Sequence, residues 1–244
     1  MRSHRPSSRP SQSVALGMAC LVLYATWALA ESPLIPFTAE YAVQVKGLKV
    51  GGMTRTLEID AAGRYRLESR MAPSGLAALV SRTAVDEISE GALLQPGVHP
   101  HRYRYHKSSK GKDKYIESVF ERATSRVRTT QRGTTSTLDV PPGALDKLAY
   151  QLALMEDLGR GRTTFEYHVV DGDRLKTYAL DDQGEETLEI DGQPVIARKM
   201  VYARHGTQRR TTLWCAPRHG FLPVRIEYRE DDGGVTTATL IALP

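Results

Sequence analysis

The sequence predicts a mainly β protein: a curved antiparallel sheet, open barrel or β-spiral of about twelve strands, wrapped around one amphipathic helix. Three observations support this fold class. Apolar and polar residues alternate with a period of two over much of the chain, glycine-containing turn sequences separate these runs, and one late segment has helical spacing. Strands and helices do not alternate along the chain, which excludes most doubly wound α/β folds.

The period-two runs predict strands that bury one face. In each run, apolar side chains fall at every second position and polar or charged side chains fall between them, as in antiparallel sheets with one side against a core. The clearest runs cover residues 37–45, 64–71, 164–169 and 224–228.

Turn sequences between the runs predict tight hairpins. Each contains a glycine, which tolerates the positive φ that such turns need. They include Gly51-Gly52, Ala62-Gly63, Asp171-Gly172, Gln183-Gly184, Asp191-Gly192, His205-Gly206 and Gly233-Gly234.

One segment, residues 144–158, predicts the helix. Its apolar residues recur at steps of three and four, two prolines precede it and Gly159 follows it. We expect this helix to cover the apolar concave face of the sheet, and a weaker helical piece is predicted at residues 74–80. The residues expected to line a cleft beneath the helix are Leu145, Leu148, Leu152, Met155 and Trp214.

Residues 1–30 have the features of a secretory signal peptide. Three arginines without acidic residues precede an uncharged run from Val14 to Trp27, and Ala28-Leu29-Ala30 supplies a cleavage site. Cys20 leaves a lipoprotein as an alternative, but the residues before it make a poor lipidation motif. We therefore expect a periplasmic protein consisting of one β-rich domain, residues 31–244. No later segment is apolar and long enough to span a membrane.

Composition argues against nucleic-acid binding. The whole chain carries a net charge of +5, but without the leader thirty basic residues nearly balance twenty-eight acidic ones. Neither this balance nor the expected compartment favours nucleic acid as a partner.

Cys215 is the one cysteine after the leader, so no intramolecular disulfide is expected. Its place in an alternating run predicts a buried strand thiol.

No motif predicts catalysis, a metal site or a cofactor. The G-x-S-x-G nucleophile elbow and the H-E-x-x-H zinc-protease signature are absent from the sequence. His99, His101 and His106 form a small cluster in which two side chains share a side, but no acidic residue lies nearby to complete or orient a metal site. We expect solvated loop histidines, and we expect the acidic pairs near glycines to be solvated turn residues.

Several local patterns resemble one known family. They are Phe37-x-Ala39-x-Tyr41, the segment 47–52, Gly91 with Pro96, Asp146 before the predicted helix, and Trp214-x-Ala216 followed by Phe221-Leu222-Pro223-Val224-Arg225-Ile226. Together they resemble the proteobacterial periplasmic family called domain of unknown function 3108. The resemblance implies an envelope protein without an assigned activity, in a curved or spiral sheet around a helix. That architecture is similar to lipoprotein-carrier-like folds and β-spiral envelope proteins.

Charge is unevenly distributed along the chain. Residues 102–132 contain ten lysines and arginines against three acids, whereas residues 171–191 contain eight acids against two basic residues. Either these are wet outer faces that partly neutralise each other, or the basic part binds an anionic envelope component. The residues of this possible anionic-partner surface are Arg102, Arg104, Lys107, Lys110, Lys112 and Lys114.

Three functions remain open from the sequence. The first is a non-enzymatic envelope protein that binds a partner, such as an envelope protein, a lipid or a cell-wall polymer, or helps to maintain the envelope. The second is a carrier that holds a lipid or another acyl ligand between the sheet and the helix. An unrecognised hydrolase is the third, because active sites are sometimes assembled from dispersed residues.

Overall fold

The computed structural model describes Met1, residues 34–75, Ala78, and residues 83–94, 97–204 and 206–243. The predicted leader, apart from Met1, and most of the weaker helical segment 74–80 lie outside the described residues.

The first half of the described chain is a meander of eight antiparallel strands. Each strand pairs with the next one along the chain. Their bounds are β1 (Phe37–Val45), β2 (Leu48–Ile59), β3 (Arg64–Pro73), β4 (Ala84–Leu93), β5 (Val98–Ser108), β6 (Lys114–Glu121), β7 (Arg126–Gln131) and β8 (Thr134–Asp139). A 3-10 helix, Arg122–Thr124, joins β6 to β7.

One helix separates this meander from a second one of six strands. The elements are α1 (Ala149–Gly159), β9 (Phe165–Asp171), β10 (Arg174–Ile190), β11 (Gln193–Ala203), β12 (Arg210–Ala216), β13 (Leu222–Arg229) and β14 (Val235–Ala242). A second 3-10 helix, Pro217–His219, joins β12 to β13.

The two meanders form one sheet because β14 pairs with β1. The strand order is β8-β7-β6-β5-β4-β3-β2-β1-β14-β13-β12-β11-β10-β9, so β8 and β9 are its two ends and the sheet does not close on itself. The predicted fold class is confirmed, although fourteen strands are described rather than about twelve. Continuous antiparallel pairing brings residues that are distant in sequence, from β2 and β12 for example, to one concave face.

The helix lies inside this curved sheet and is buried on most of its surface. Leu152 and Leu154 are at most 1% exposed, and even Glu156 is 3% exposed, held by an ion pair to Arg160. A helix that packs on a sheet through a single apolar stripe has polar residues on its opposite side. Here the wrapping sheet leaves little of the helix in solvent, so burial is broader than the predicted apolar face.

The helix begins five residues later than predicted. Leu145 instead forms a parallel bridge with Val169 of β9, and its backbone N–H and C=O bond to His168 and Val170. The apolar spacing from Leu145 to Leu148 reflects burial of this connecting segment, not helical turns. The prolines and Gly143 before it bring the chain back from β8 to β9.

Two predicted turns lie within strands. Gly51 lies inside β2, where a Cβ atom would collide with the carbonyl oxygen of Ala72 in β3, so the glycine permits close strand approach. The Gln183-Gly184 sequence forms a β-bulge in the long strand β10, between Asp182 and Glu185. Gly184 has a φ of +80°, and its N–H donates to Asp182 at 3.0 Å.

Candidate functional site

A cleft of about 440 Å³ lies between the first turn of α1 and the concave face of the sheet. A volume of this size is within the usual range for small-molecule sites. Its lining is unusually rich in tyrosine and cationic side chains, with two acids. The lining residues are Arg55, Glu87, Lys147, Leu148, Tyr150, Gln151, Asp171, Lys176, Tyr178, Tyr202, Arg204, Arg209, Arg210, Thr211 and Tyr228.

Asp146 fixes the start of α1 and therefore the position of the cleft floor. Its side chain is fully buried, and one carboxylate oxygen accepts 2.8 Å hydrogen bonds from the backbone N–H groups of Leu148 and Ala149. Ser89 donates to the other oxygen at 2.6 Å and lies 3.0 Å from the Tyr65 hydroxyl. The buried carboxyl thus accepts from backbone N–H groups of the turn that leads into α1, in the manner of a helix cap.

The environment of Asp146 opposes its negative charge. Burial raises the pKa of this carboxyl to about 6, although the hydrogen bonds from Ser89 and from the two backbone N–H groups favour the ionised form. Leu148, just before the helix, and Tyr150, in its first turn, both line the cleft. The buried cap therefore holds part of the binding surface in place.

Arg55 is a buried cation within the cleft lining. It occupies an inward position of β2, between Met53 and Leu57, and is 8% exposed. Its Nη1 donates to Gln151 Oε1 at 2.7 Å, whereas its Nε has no hydrogen-bond acceptor. Among the described residues, no carboxylate forms an ion pair with Arg55. A buried charge without a counter-charge is unfavourable, so an anion reaching this guanidinium would be stabilised there.

Tyrosine side chains form one wall of the cleft. Tyr150 packs edge-on against Tyr178, with ring centroids 5.1 Å apart, and Tyr178 stacks on Tyr202 at 4.2 Å. Tyr228 faces the same cleft, on the strand that follows Thr211 of β12. Burial raises the pKa of all four phenols, so they remain neutral hydrogen-bond donors at neutral pH.

The two acids of the cleft are offset by lysines. Burial alone would lower the pKa of Lys147, but the charges of Glu87 and Asp171 outweigh it and raise that pKa. Lys176 forms an ion pair with Asp171 and, against the effect of burial, lowers the pKa of this carboxyl. Lys114 of β6 contributes to the same lowering. These acids are therefore already compensated, and Arg55 remains without such a partner.

Arginines surround the mouth of the cleft near the β11–β12 connection. Arg209 forms an ion pair with Asp231 at 2.9 Å and approaches Glu230 at 3.6 Å. Arg204 and Arg210 are exposed and make no ion pair with any residue in the described parts of the chain. The cleft therefore has excess positive charge at its mouth as well as at Arg55.

The five residues predicted to line a cleft under the helix are all buried. Leu145, Leu148, Leu152, Met155 and Trp214 are between 1% and 6% exposed. Leu148 lines the tyrosine-rich cleft, and Leu145 and Leu152 are packed in the core. Trp214 lies between two cations of neighbouring strands, Lys199 at 5.5 Å and Arg225 at 5.1 Å from its ring centroid.

Met155 lines a second cavity, at the other end of α1. It has a volume of about 210 Å³ and is lined in part by the apolar side chains of Phe37, Leu222 and Leu243. Arg218 and His219 lie at its rim, in the second 3-10 helix. The helix thus has a polar, cationic cavity near its start and a more apolar one near its end.

The predicted anionic-partner surface is divided by the sheet and is partly neutralised. Arg102 pairs with Glu117, and Arg104 pairs with Glu90 at 3.1 Å, both through neighbouring strands. Lys107, Lys110 and Lys112 are exposed, and Lys114 lies 5.6 Å from the ring centroid of Tyr105. The pairing partners of Arg102 and Arg104 are not in the acidic segment 171–191, which has its own ion pairs with Arg198 and Lys199.

The cysteine and the histidines that the sequence offered as chemical candidates lie in strands. Cys215 is a free, fully buried thiol of β12, as predicted, and burial raises its pKa. The three histidines lie on strand β5 and not in a loop, so that prediction was wrong. Within the described ranges, no group of three or more His, Cys, Asp or Glu side chains could hold a metal ion. No helix among these residues is long and apolar enough to cross a membrane.

Sequence reasoning missed Arg55, although a signal was present. In the run Gly51-x-Met53-x-Arg55-x-Leu57-x-Ile59, the arginine has the parity of the apolar residues. Such a position indicates a charged side chain that points to the core face. The tyrosines had no comparable signal, because their convergence depends on the pairing of the two meanders.

Comparison with known proteins identifies the fold and the family. The chain is similar to a solved structure, a β-barrel-like protein of domain of unknown function DUF1849 from Brucella abortus, with a TM-score of 0.55 and 12% sequence identity over 86% of this chain and 97% of that chain. No curated protein matches the chain. The family model described as protein of unknown function (DUF3108) matches residues 40–240. The chain therefore belongs to the DUF3108 family.

Proposed function

We propose that this protein is a non-enzymatic binding protein of the cell envelope that holds an anionic ligand in the tyrosine-lined cleft. The observation that carries the proposal is Arg55, which is buried, lines the cleft and has no carboxylate partner among the described residues. An oxyanion would supply the counter-charge and form charge-assisted hydrogen bonds with the guanidinium.

Other features of the cleft support binding of an anion over binding of a neutral molecule. Glu87 and Asp171 are offset by Lys147 and Lys176, so they do not cancel the charge of Arg55. The neutral phenols of Tyr150 and Tyr178 add hydrogen-bond donors. Polar side chains that fix the orientation of a ligand are typical of ligand-binding sites.

A location in the periplasm is part of the proposal and is supported by the sequence of residues 1–30. A basic start, an uncharged apolar run and an Ala-x-Ala site are the features of an export signal. In that compartment, anionic partners include lipid headgroups, cell-wall polymers and acidic proteins.

Isothermal titration calorimetry with a small oxyanion tests the binding proposal. D-galacturonate should bind with saturation, and its neutral analogue D-galactose should bind more weakly. Arg55→Gln should weaken galacturonate binding by about tenfold or more, because a hydrogen bond to a charged group is lost. Arg126→Gln, which changes an exposed arginine of β7, is the matched control. Equal affinity in the wild type and Arg55→Gln would contradict the proposal.

The second candidate is the carrier of an acyl ligand, favoured by the cavity at Met155. Its apolar lining and its cationic rim of Arg218 and His219 suit an acyl chain with an anionic head. A fluorescent fatty acid should then bind with saturation, and Met155→Gln should weaken its binding. Absence of saturable binding in the wild type would exclude the carrier.

A further inference from the structure

Three tyrosine side chains of the cleft lie in a row between two arginines. Tyr150 lies at one end, close enough to Arg55 for the guanidinium charge to favour its phenolate, although burial dominates and raises its pKa. Tyr202 lies at the other end and interacts in the same way with Arg204. Tyr178 contacts both rings, at 5.1 Å and 4.2 Å between centroids. The row of three rings therefore runs from a buried cation to an exposed one.

The row is suited to a ligand that carries hydroxyl groups. Tyr178 stacks on Tyr202 and meets the edge of Tyr150, so the rings largely cover one another and their polar hydroxyls are what they offer to a ligand. Because the phenols of Tyr178 and Tyr202 are neutral at ordinary pH, each hydroxyl both donates and accepts hydrogen bonds. A saccharide has complementary hydroxyl groups around the edge of its ring.

Some cations at the mouth of the cleft form ion pairs with carboxylates, and others do not. Arg209 is held by Asp231, and Lys176 is held by Asp171. Arg204 and Arg210 have no ion-pair partner in the described part of the chain; Arg204 follows β11 directly, and Arg210 is the first residue of β12. These two side chains are available to a second anionic group on the same ligand.

We infer that the ligand of this cleft is an acidic saccharide with two oxyanionic groups, one on Arg55 and the second on Arg204 and Arg210. The inference rests on the proposed anion-binding function and adds the class of ligand. Carboxylate and phosphate or sulfate ester groups share the chemistry that an arginine recognises.

Calorimetric titration with matched saccharides tests this ligand class. The probes are galacturonate, with one ring and one charge; digalacturonate, with two of each; galactobiose, with two neutral rings; and adipate, an acyclic dianion. Digalacturonate should bind roughly tenfold or more tightly than galacturonate, because it adds a hydrogen-bonded charge at the mouth. Galactobiose and adipate should both bind more weakly than digalacturonate.

Arginine variants test which side chains bind each anionic group of the ligand. The double variant Arg204→Gln/Arg210→Gln should remove the advantage of digalacturonate over galacturonate, whereas Arg55→Gln should weaken the binding of both acids. The exposed-arginine variant Arg126→Gln should change neither affinity. Circular dichroism of each variant verifies that the strands are intact.

The outcomes separate this inference from the function on which it rests. If galacturonate binds through Arg55 but digalacturonate binds no more tightly, the two-charge ligand is wrong and the anion site stands. Equal binding of adipate and digalacturonate would contradict the saccharide class, and equal binding of galactobiose would contradict the second charge. If neither acid binds, the anion-binding function itself fails.

Discussion

Replacement of Asp146 by asparagine should change the pH dependence of stability, because this buried carboxyl has a raised pKa. The pKa rises from 3.8 to about 6 in the folded protein, and each unit corresponds to about 1.4 kcal/mol. A carboxyl with a folded-state pKa above its unfolded value stabilises the fold fully below the unfolded value. This contribution, roughly 3 kcal/mol, is lost as the pH rises through 6.

The measurement compares the free energies of unfolding of the wild type and Asp146→Asn in urea at several pH values from 4 to 7. Asparagine retains an oxygen that accepts from the N–H groups of Leu148 and Ala149, and it does not titrate. Relative to this variant, the wild type should lose roughly 2 kcal/mol between pH 4 and pH 7, because part of the total loss occurs below pH 4. Titrations elsewhere in the protein cancel in the difference.

Asp182→Asn is the control of opposite sign. A hydrogen bond from Arg198 lowers the pKa of Asp182, so this carboxylate should stabilise the fold above its unfolded pKa and lose that effect in acid. A pH-independent difference between wild type and Asp146→Asn would refute the reasoning. So would a wild type that gains stability over Asp146→Asn as the pH rises, because the N–H groups would then dominate over burial.

Three further predictions concern packing. Leu152→Ala should reduce the free energy of unfolding by about 2–5 kcal/mol through a cavity beside α1, whereas Ile196→Ala, at a 54% exposed position, should cost much less in the same urea titration. Cys215 should resist iodoacetamide in the folded protein and react after unfolding, because burial raises the pKa of its thiol; mass spectrometry that finds rapid labelling of folded protein would contradict this. Gly51→Ala should lower the melting temperature more than Gly52→Ala, since a Cβ at Gly52 has 3.6 Å to its nearest neighbour and a Cβ at Gly51 would collide with β3; equal effects would contradict the close approach of β2 and β3.

The sequence predicts much of the sheet because strand periodicity is local. Residues 37–45 alternate in sequence, and β1 covers the same residues. The local sequence around Gly51 and Gly184 does not determine their structure. A glycine occurs in turns, in β-bulges and at close strand contacts, and pairing with β3 or β11 determines which of these forms.

The start of the helix depends on tertiary structure in the same way. Leu145 and Leu148 have helical spacing, but Leu145 gains backbone hydrogen bonds with β9 and the helix starts at Ala149, whose N–H donates to Asp146. The cap is completed by Ser89 of β4, which is far away in sequence. Local propensity therefore located the helix, and contacts with two distant strands set its first residue.

The cleft was less predictable than the fold because both meanders contribute to it. Arg55 comes from β2, Tyr150 from α1 and Tyr202 from β11, and these elements meet only when β14 pairs with β1. The prediction of a cleft under the helix followed from its leucines, of which Leu148 lines the cleft and Leu152 packs in the core. Polar residues at inward strand positions, such as Arg55 and Ser89, were the available signal.

Nuclear magnetic resonance of the arginine Nε–H groups tests the central claim most directly, because it observes the proposed contact atom. The Arg55 resonance is assigned by its loss in Arg55→Gln. Our account predicts that this resonance shifts with saturation during titration with galacturonate and stays in place with galactose. A resonance that does not respond to galacturonate, while those of exposed arginines shift, would contradict an anion site at Arg55.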